Sequence, residues 1–281
     1  MAEQLQYMME LQRRFSIEEA DLLRMCPKLD RVTYAKMANS LFYVACRYGL
    51  PRVIAHNSKN LVDRYLVKVC VKTPSELWLL TVTAFWISVK VSSSRHYRPL
   101  EIIAERFGLS QEQLADQENK MSRPLGWDVI SRCTPLHFAE AYCLRLGQIR
   151  PLLPEQLNVL MHHVMYIVDF CLLDRSAHFY SNSILACAAL TLVVRHHPDA
   201  DGFSFTAQDL DAAFDGADAH QLALCMDFLQ TKEVPPAIAD DADYSFQKYR
   251  REVMDGYVLR EEQHARAGTV APLPVVVTVA A

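Results

Sequence analysis

Two stretches of this chain are apolar on nearly all sides of a helix, and they limit what it can fold into. The first, residues 75–90, has the sequence SELWLLTVTAFWISVK, and the second, residues 183–194, has the sequence SILACAALTLVV. A helix without a polar face must be surrounded by other helices. Glycine is scarce, with 8 in 281 residues, and alternation typical of strands is rare before the tail. The sequence therefore predicts an all-α protein with two bundles, each built around one central helix.

The neighbours of these two helices repeat at matched positions. Asp63 lies in the helix pattern before the first central helix, and Asp169 occupies the equivalent place 106 positions later. Lys90 ends the first central helix and Arg195 follows the second, 105 positions later. Two copies are too few for a solenoid, which needs about three or more repeats. We therefore expect two separate bundles of similar design.

These patterns divide the chain into four predicted segments. Residues 1–30 are predicted to form an N-terminal amphipathic helix and a linker outside both bundles. The first bundle is placed at 31–131 and the second at 132–232. Residues 233–281 begin with VPP and an acidic DDAD, which a charged helix pattern follows. They end in a tail without helical period, which we expect to be flexible.

Start and stop signals support the helical boundaries. Thr73 and Glu76 form a capping box around Pro74, in which each side chain satisfies a backbone amide at the helix start. Pro124 removes a donor and clashes with the preceding turn, so the helix that carries Glu118 should end or kink near Ser122.

Composition disfavours several classes of protein. The formal net charge is −4 and the sequence has no basic stripe, which argues against a nucleic-acid-binding protein. No run of about 18 uninterrupted apolar residues occurs, so we expect no membrane span, and the first residues lack the apolar core of a signal peptide. The eight cysteines form no C-x-x-C pair and lie mostly in apolar helical runs, which is typical of a reduced, intracellular protein.

Sites for metals and cofactors are also disfavoured. The histidine pairs at 162–163 and 196–197 have no acidic or cysteine partner at matching helical spacing. No phosphate-binding loop or dinucleotide fingerprint is present. We therefore expect no metal, no cofactor and no catalytic residue.

Lys90 and Glu118 are the most informative pair of charged residues. Lys90 places a positive charge at the exit of an apolar helix, and Glu118 lies in the next clear helix pattern. A core helix that ends in this way presents one cationic side chain on the surface, next to an anionic side chain from the following helix. The predicted pair is a candidate contact for another protein.

The layout resembles that of the cyclins over residues 31–232. Cyclins have two five-helix repeats flanked by an N-terminal and a C-terminal helix, and the resemblance implies that fold here. The stretch 133–142 is most similar to the mitotic A/B-type cyclins. The positions that carry the resemblance are the VDRYL run at 62–66, Lys90, Glu118, Leu125, Trp127, Thr134, Pro135 and Phe138.

The resemblance implies a regulatory subunit that binds and activates a cyclin-dependent protein kinase in the nucleus and cytoplasm. Lys90 and Glu118 would bond backbone groups around the kinase's C-helix, and Ile87, Val91 and Trp127 would form an apolar surround. The kinase, which needs that helix inward for its own Lys–Glu pair, would supply all the chemistry. An alternative is that the chain regulates a kinase of the transcription or phosphate-signalling groups. A weaker alternative is that the chain is itself a transcription factor IIB-like protein, which binds DNA and polymerase.

Two further features depart from the family or add to it. The arginine that usually pairs with Asp63 falls at Tyr34 when counted without gaps, and Lys36 is the nearest cation. Arg150, Leu153 and Asn158 match a destruction-box pattern that would enter a helix at Pro154, where a ubiquitin ligase would bind. The kinase's substrates are further expected partners.

Overall fold

A computed structural model describes residues 2–17, 19–27, 29–92, 107–129, 133–196, 205–214 and 216–231. These residues form eleven α-helices and one 3-10 helix and contain no strand, so the predicted all-α class is confirmed. None of these helices is both long and apolar enough to cross a membrane. The helices are α1 (Ala2–Arg14), α2 (Glu19–Met25), α3 (Arg31–Arg47), α4 (Arg52–Leu66), α5 (Pro74–Ser92), α6 (Gln111–Ser122), α7 (Pro135–Ile149), α8 (Pro154–Cys171), the 3-10 helix (Arg175–Phe179), α9 (Asn182–His196), α10 (Ala207–Phe214) and α11 (Ala219–Thr231).

The chain divides into two compact units. The amino-terminal unit contains Glu10–Thr134 together with Leu173–Phe179. The carboxy-terminal unit contains Met1–Met9, Pro135–Leu172 and the described residues from Tyr180 onward. The amino-terminal unit thus takes in more of the chain than the predicted range 31–131. The predicted carboxy-terminal helix and tail lie outside the described residues.

Helix α5 is the central helix of the amino-terminal unit. It packs against α3, α4 and α6, and every residue from Leu80 to Val89 is buried. Burial on all sides explains why this helix can be apolar all round. The expected central position of the first apolar helix is confirmed.

Helix α9 has the same role in the carboxy-terminal unit. It packs against α7, α8 and α11, and all residues from Ser183 to Val194 are buried. The five helices α7 to α11 make up the described part of this unit after Pro135. In the amino-terminal unit, four helices from α3 to α6 are described, with residues 93–106 outside the described part.

The predicted helix ends agree with the structure at α5 and α6. The amide of Glu76 donates to Thr73 Oγ1 at 3.1 Å, and the amide of Thr73 donates to Glu76 Oε2 at 3.3 Å. Helix α6 ends at Ser122, two residues before Pro124, as proline chemistry requires. In the segment 1–30, α1 ends at Arg14 and a separate short helix, α2, begins at Glu19.

Candidate functional site

Lys90 and Glu118 meet at the surface of the amino-terminal unit. Lys90 lies in the last turn of α5, and its Nζ is 2.8 Å from Glu118 Oε2 and 3.0 Å from Oε1. The Lys90 side chain is 38% exposed and that of Glu118 is 26% exposed. The structure therefore brings the two residues together as the sequence predicts. Both also remain open to solvent, which a contact with another protein requires.

Trp86 is a third member of this cluster that the sequence reasoning missed. Its indole Nε1 donates a hydrogen bond to Glu118 Oε2 at 3.2 Å. The Trp86 residue is 7% exposed and lies one helical turn before Lys90 on α5. Residues four apart share a helix face. The spacing between Trp86 and Lys90 is therefore the signal that could have identified it.

The expected apolar surround is only partly at the surface. Ile87 is 2% exposed and belongs to the core, so its predicted role as a surface contact is corrected. The reason is the full burial of α5 through Val89, which leaves no outward face at position 87. Val91 is 41% exposed and Trp127 is 63% exposed, so both remain accessible to a partner.

Trp127 is presented by an unusual turn after α6. Its φ is 62°, in the left-handed region, and Gly126 before it has φ 65°. A bulky residue in this region is an outlier that persists only when surrounding contacts fix it. Here the amide of Trp127 donates to the carbonyl of Ser122 at 2.9 Å, and Lys68 Nζ donates to the carbonyl of Pro124 at 3.0 Å. The turn thus holds a large, exposed aromatic side chain in a defined place.

Asp63 is the centre of a second, buried cluster in the same unit. Its Oδ2 is 2.6 Å from Lys59 Nζ and 3.2 Å from His178 Nε2. The hydroxyl of Tyr34 donates to Asp63 Oδ1 at 2.9 Å, accepts from Lys59 Nζ at 2.7 Å and is 3.0 Å from His178 Nε2. Every acid, base and hydroxyl of this cluster therefore has a partner inside the unit.

The partner of Asp63 corrects one prediction. Lys36, the cation expected to pair with it, is exposed, and the charge comes instead from Lys59, one turn earlier on α4. Tyr34 stands where the family resemblance expects an arginine, and its hydroxyl links Asp63 to Lys59. The fold-stabilising role expected of Asp63 fits this geometry, but with a different cation.

Electrostatics keeps Asp63 charged despite its burial. Burial by itself would raise the pKa of this carboxyl group, but the charges of Lys59 and His178 oppose it and lower the pKa to about 2. Burial, and next the charge of Asp63, raises the pKa of Tyr34 well above its ordinary value. Tyr34 therefore stays a neutral hydrogen-bond donor to the carboxylate.

The destruction-box residues lie around the start of α8. Arg150 Nε forms an ion pair with Asp209 Oδ2 at 2.8 Å, and Leu153 is 63% exposed just before the helix. Asn158 is exposed within α8. The pattern enters a helix at Pro154 as the sequence predicts, and its function as a degron remains a prediction.

The described cysteines are free thiols, and six of the eight are buried. Burial raises the pKa of Cys187 to about 12, because a thiolate would lose its solvation there. Within the described ranges, no group of three or more histidine, cysteine or acidic side chains could hold a metal ion.

The part of the chain that contains the Lys90–Glu118 pair is similar to a known protein family. Residues 3–130 match the cyclin N-terminal domain. This match includes the whole of the Lys90–Glu118–Trp86 cluster as well as Asp63 and Trp127. No curated protein sequence matches the chain.

Two solved structures share the fold of this chain over most of its length. The viral cyclin of herpesvirus saimiri is similar with a TM-score of 0.62 and 13% identity, over 80% of this chain and 96% of that chain. A chain from the CAK complex of Chaetomium thermophilum bound to ATP-gamma-S is similar with a TM-score of 0.54 and 14% identity, over 88% of this chain and 82% of that chain. Likeness at such identity shows that the fold is shared.

Proposed function

We propose that this chain is a regulatory subunit that binds and activates a cyclin-dependent protein kinase in cell-cycle control. The observation that carries the proposal is the exposed Lys90–Glu118 pair within the region that matches the cyclin N-terminal domain. We also propose that the carboxy-terminal unit is a second cyclin repeat of the mitotic A/B type. Its five helices, with the buried α9 at the centre, and the sequence at 133–142 support this assignment.

The chemistry of the pair suits the capture of a partner's backbone. A lysine has three N–H donors and a carboxylate has about four acceptor sites, so both retain capacity beyond their mutual bonds. Hydrogen bonds that involve a charged group are roughly twice as strong as neutral ones. Lys90 would donate to backbone carbonyls and Glu118 would accept from backbone amides around the kinase C-helix. Val91 and Trp127 would exclude water around these bonds.

Activation would follow from a shift in population. An active protein kinase needs its C-helix inward so that its own Lys–Glu pair forms near the phosphates. A partner that binds the inward state about 10⁴-fold more tightly than the outward state converts a 1:99 population into 99:1. This chain would supply that differential binding and no catalytic residue. The kinase would supply ATP binding and phosphoryl transfer in the nucleus and cytoplasm.

A panel of kinases tests the proposal. The full chain is co-expressed with tagged cyclin-dependent kinases, including members of the cell-cycle, transcription and phosphate-signalling groups, and histone phosphorylation is measured after co-purification. We expect at least one kinase to co-purify and gain activity. The Lys90→Ala/Glu118→Ala double variant should activate the kinase at least tenfold less than the wild-type chain does, while its far-UV circular dichroism stays unchanged.

The matched control removes one acidic and one basic side chain of α6 that do not belong to the Lys90–Glu118 pair. Glu112 and Lys120 are both exposed, and the Glu112→Ala/Lys120→Ala double variant should activate as the wild type does. Activation by the Lys90/Glu118 variant at the wild-type level would refute this site. Failure of every kinase in the panel to bind the wild-type chain would refute the proposed function.

A further inference from the structure

The carboxylate of Glu118 has two donors of very different character. Lys90 reaches both oxygens from the exposed end of α5. Trp86 reaches only Oε2, from a ring that is nearly enclosed. One oxygen therefore has a mobile, charged donor alone, and the other has that donor together with a fixed, neutral one.

The two donors differ in how easily they can leave. A lysine side chain has four rotatable bonds and a strongly hydrated head, so Lys90 can exchange a partner's carbonyl for Glu118 at little cost. A tryptophan has only two side-chain torsions, and Trp86 is packed within the core of the unit. A buried indole N–H left without an acceptor would cost the desolvation of that donor. Trp86 therefore has a reason to keep its bond when Lys90 gives up its own.

We propose that Trp86 is a positioning residue for Glu118, a role that rests on the proposed function of this site. Its indole N–H holds Glu118 Oε2 in place while Lys90 turns from Glu118 to the partner's carbonyl groups. The carboxylate then faces the partner's backbone amides already oriented, with Oε1 free to accept. Trp86 does not need to touch the partner.

A merely structural role for the indole makes a different prediction. If the N–H only satisfied its own hydrogen-bonding need, its removal would change stability and leave the contribution of Glu118 to binding intact. If it orients Glu118, its removal should matter for binding only while Glu118 is present. A double-mutant cycle separates the two cases.

Trp86→Phe keeps an aromatic ring and removes the N–H. We expect it to weaken binding to the kinase that the wild-type chain activates in the panel by about tenfold, the loss of one hydrogen bond to a charged group. In a Glu118→Ala background the same substitution should change the dissociation constant less than twofold. Trp78→Phe is the matched control, because Trp78 lies on the same helix, is 45% exposed and packs edge-on against Phe107. It should leave binding unchanged.

A second measurement needs no partner. The indole N–H resonance of Trp86 in the ¹H–¹⁵N spectrum of the wild-type chain should move as Glu118 is protonated, and the Glu118→Gln variant should abolish that movement. The chain has three tryptophans, and the variants at Trp78 and Trp86 assign the resonances. The inference is overturned if Glu118→Gln leaves the Trp86 indole resonance and its movement unchanged. It is also overturned if Trp86→Phe weakens binding to the kinase equally with and without Glu118.

These outcomes are distinct from failure of the proposed function. If the wild-type chain activates a kinase, the Lys90→Ala/Glu118→Ala variant does not, and the Trp86→Phe effect is independent of Glu118, the proposed function stands and the role of Trp86 falls. If no kinase binds, the proposed function falls, and if the Lys90/Glu118 variant activates normally, the proposed site falls. In either case the binding role of Trp86 falls with it, whatever the indole resonance does.

Discussion

The amino-terminal unit contains two lysine–carboxylate pairs that are alike in geometry and opposite in surroundings. Lys59 and Asp63 are 2.6 Å apart, and both side chains are 2% exposed. Lys90 and Glu118 are 2.8 Å apart, and their side chains are 38% and 26% exposed. The two pairs therefore differ in solvent exposure and hardly at all in the distance between the charged atoms.

Access decides which pair can serve a partner. The buried pair has lost its hydration and bonds to Tyr34 and His178 inside the unit. Opening it would expose an uncompensated charge to the interior, which is costly. The surface pair loses little when one bond is replaced by a bond to water or to a partner's backbone. The first pair thus belongs to the stability of the unit and the second to recognition.

The largest expected effect comes from removing the buried cation. Lys59→Met keeps a long, unbranched side chain but leaves the Asp63 carboxylate without its lysine, and we expect the free energy of unfolding to fall by about 3–5 kcal/mol. Urea unfolding followed by tryptophan fluorescence measures it. All three tryptophans, Trp78, Trp86 and Trp127, lie in the amino-terminal unit, so the signal reports that unit alone.

The control for this variant is the lysine that the sequence favoured. Lys36 is exposed on α3, and Lys36→Met should change the unfolding free energy by less than about 0.5 kcal/mol. A larger loss from Lys36→Met than from Lys59→Met would restore the original pairing and contradict the observed cluster.

An intermediate effect is expected at the third partner of Asp63. His178 lies in the 3-10 helix and contributes bonds to both Asp63 and Tyr34. His178→Ala leaves these buried groups with one partner fewer, and we expect a loss of about 1–3 kcal/mol in the same fluorescence experiment. His220→Ala, at an exposed position of α11, should leave the fluorescence transition in place. Equal midpoints for the two variants would mean that His178 contributes nothing to the cluster.

The sequence was sufficient for the features that depend on local pattern. Residues 75–90 and 183–194 have no polar face when they are placed on a helix, so both helices were expected to be buried on all sides. The capping residues Thr73 and Glu76 act on their own helix start, so their bonds could be foreseen from four positions. The contact between Lys90 and Glu118 was expected from the resemblance to the cyclins and from the position of Lys90 at the end of its apolar helix.

The features that failed depend on orientation and long-range contact. A helix that is apolar all round carries no information about which side faces outward, so Ile87 and Val91 could not be distinguished before the packing was known. Lys59 and Asp63 have the spacing of a helical ion pair, but Lys36 was predicted because it is the cation nearest to the position of the family's arginine. His178 is 144 positions from Tyr34, and no local pattern links them.

The smallest effect on stability is expected at the surface pair, and it is the sharpest test of the comparison. Lys90→Met is the same substitution as Lys59→Met, yet it should reduce the unfolding free energy by less than about 1 kcal/mol, because an exposed ion pair contributes little. Its effect on kinase activation should be large, at least a tenfold loss, since methionine has no N–H donor to take the place of the ammonium group. Both variants are measured by urea unfolding and by histone phosphorylation with the co-purified kinase. If Lys90→Met unfolds the unit as readily as Lys59→Met does, exposure does not separate a structural pair from a recognition pair, and the role assigned to Lys90 loses its physical basis.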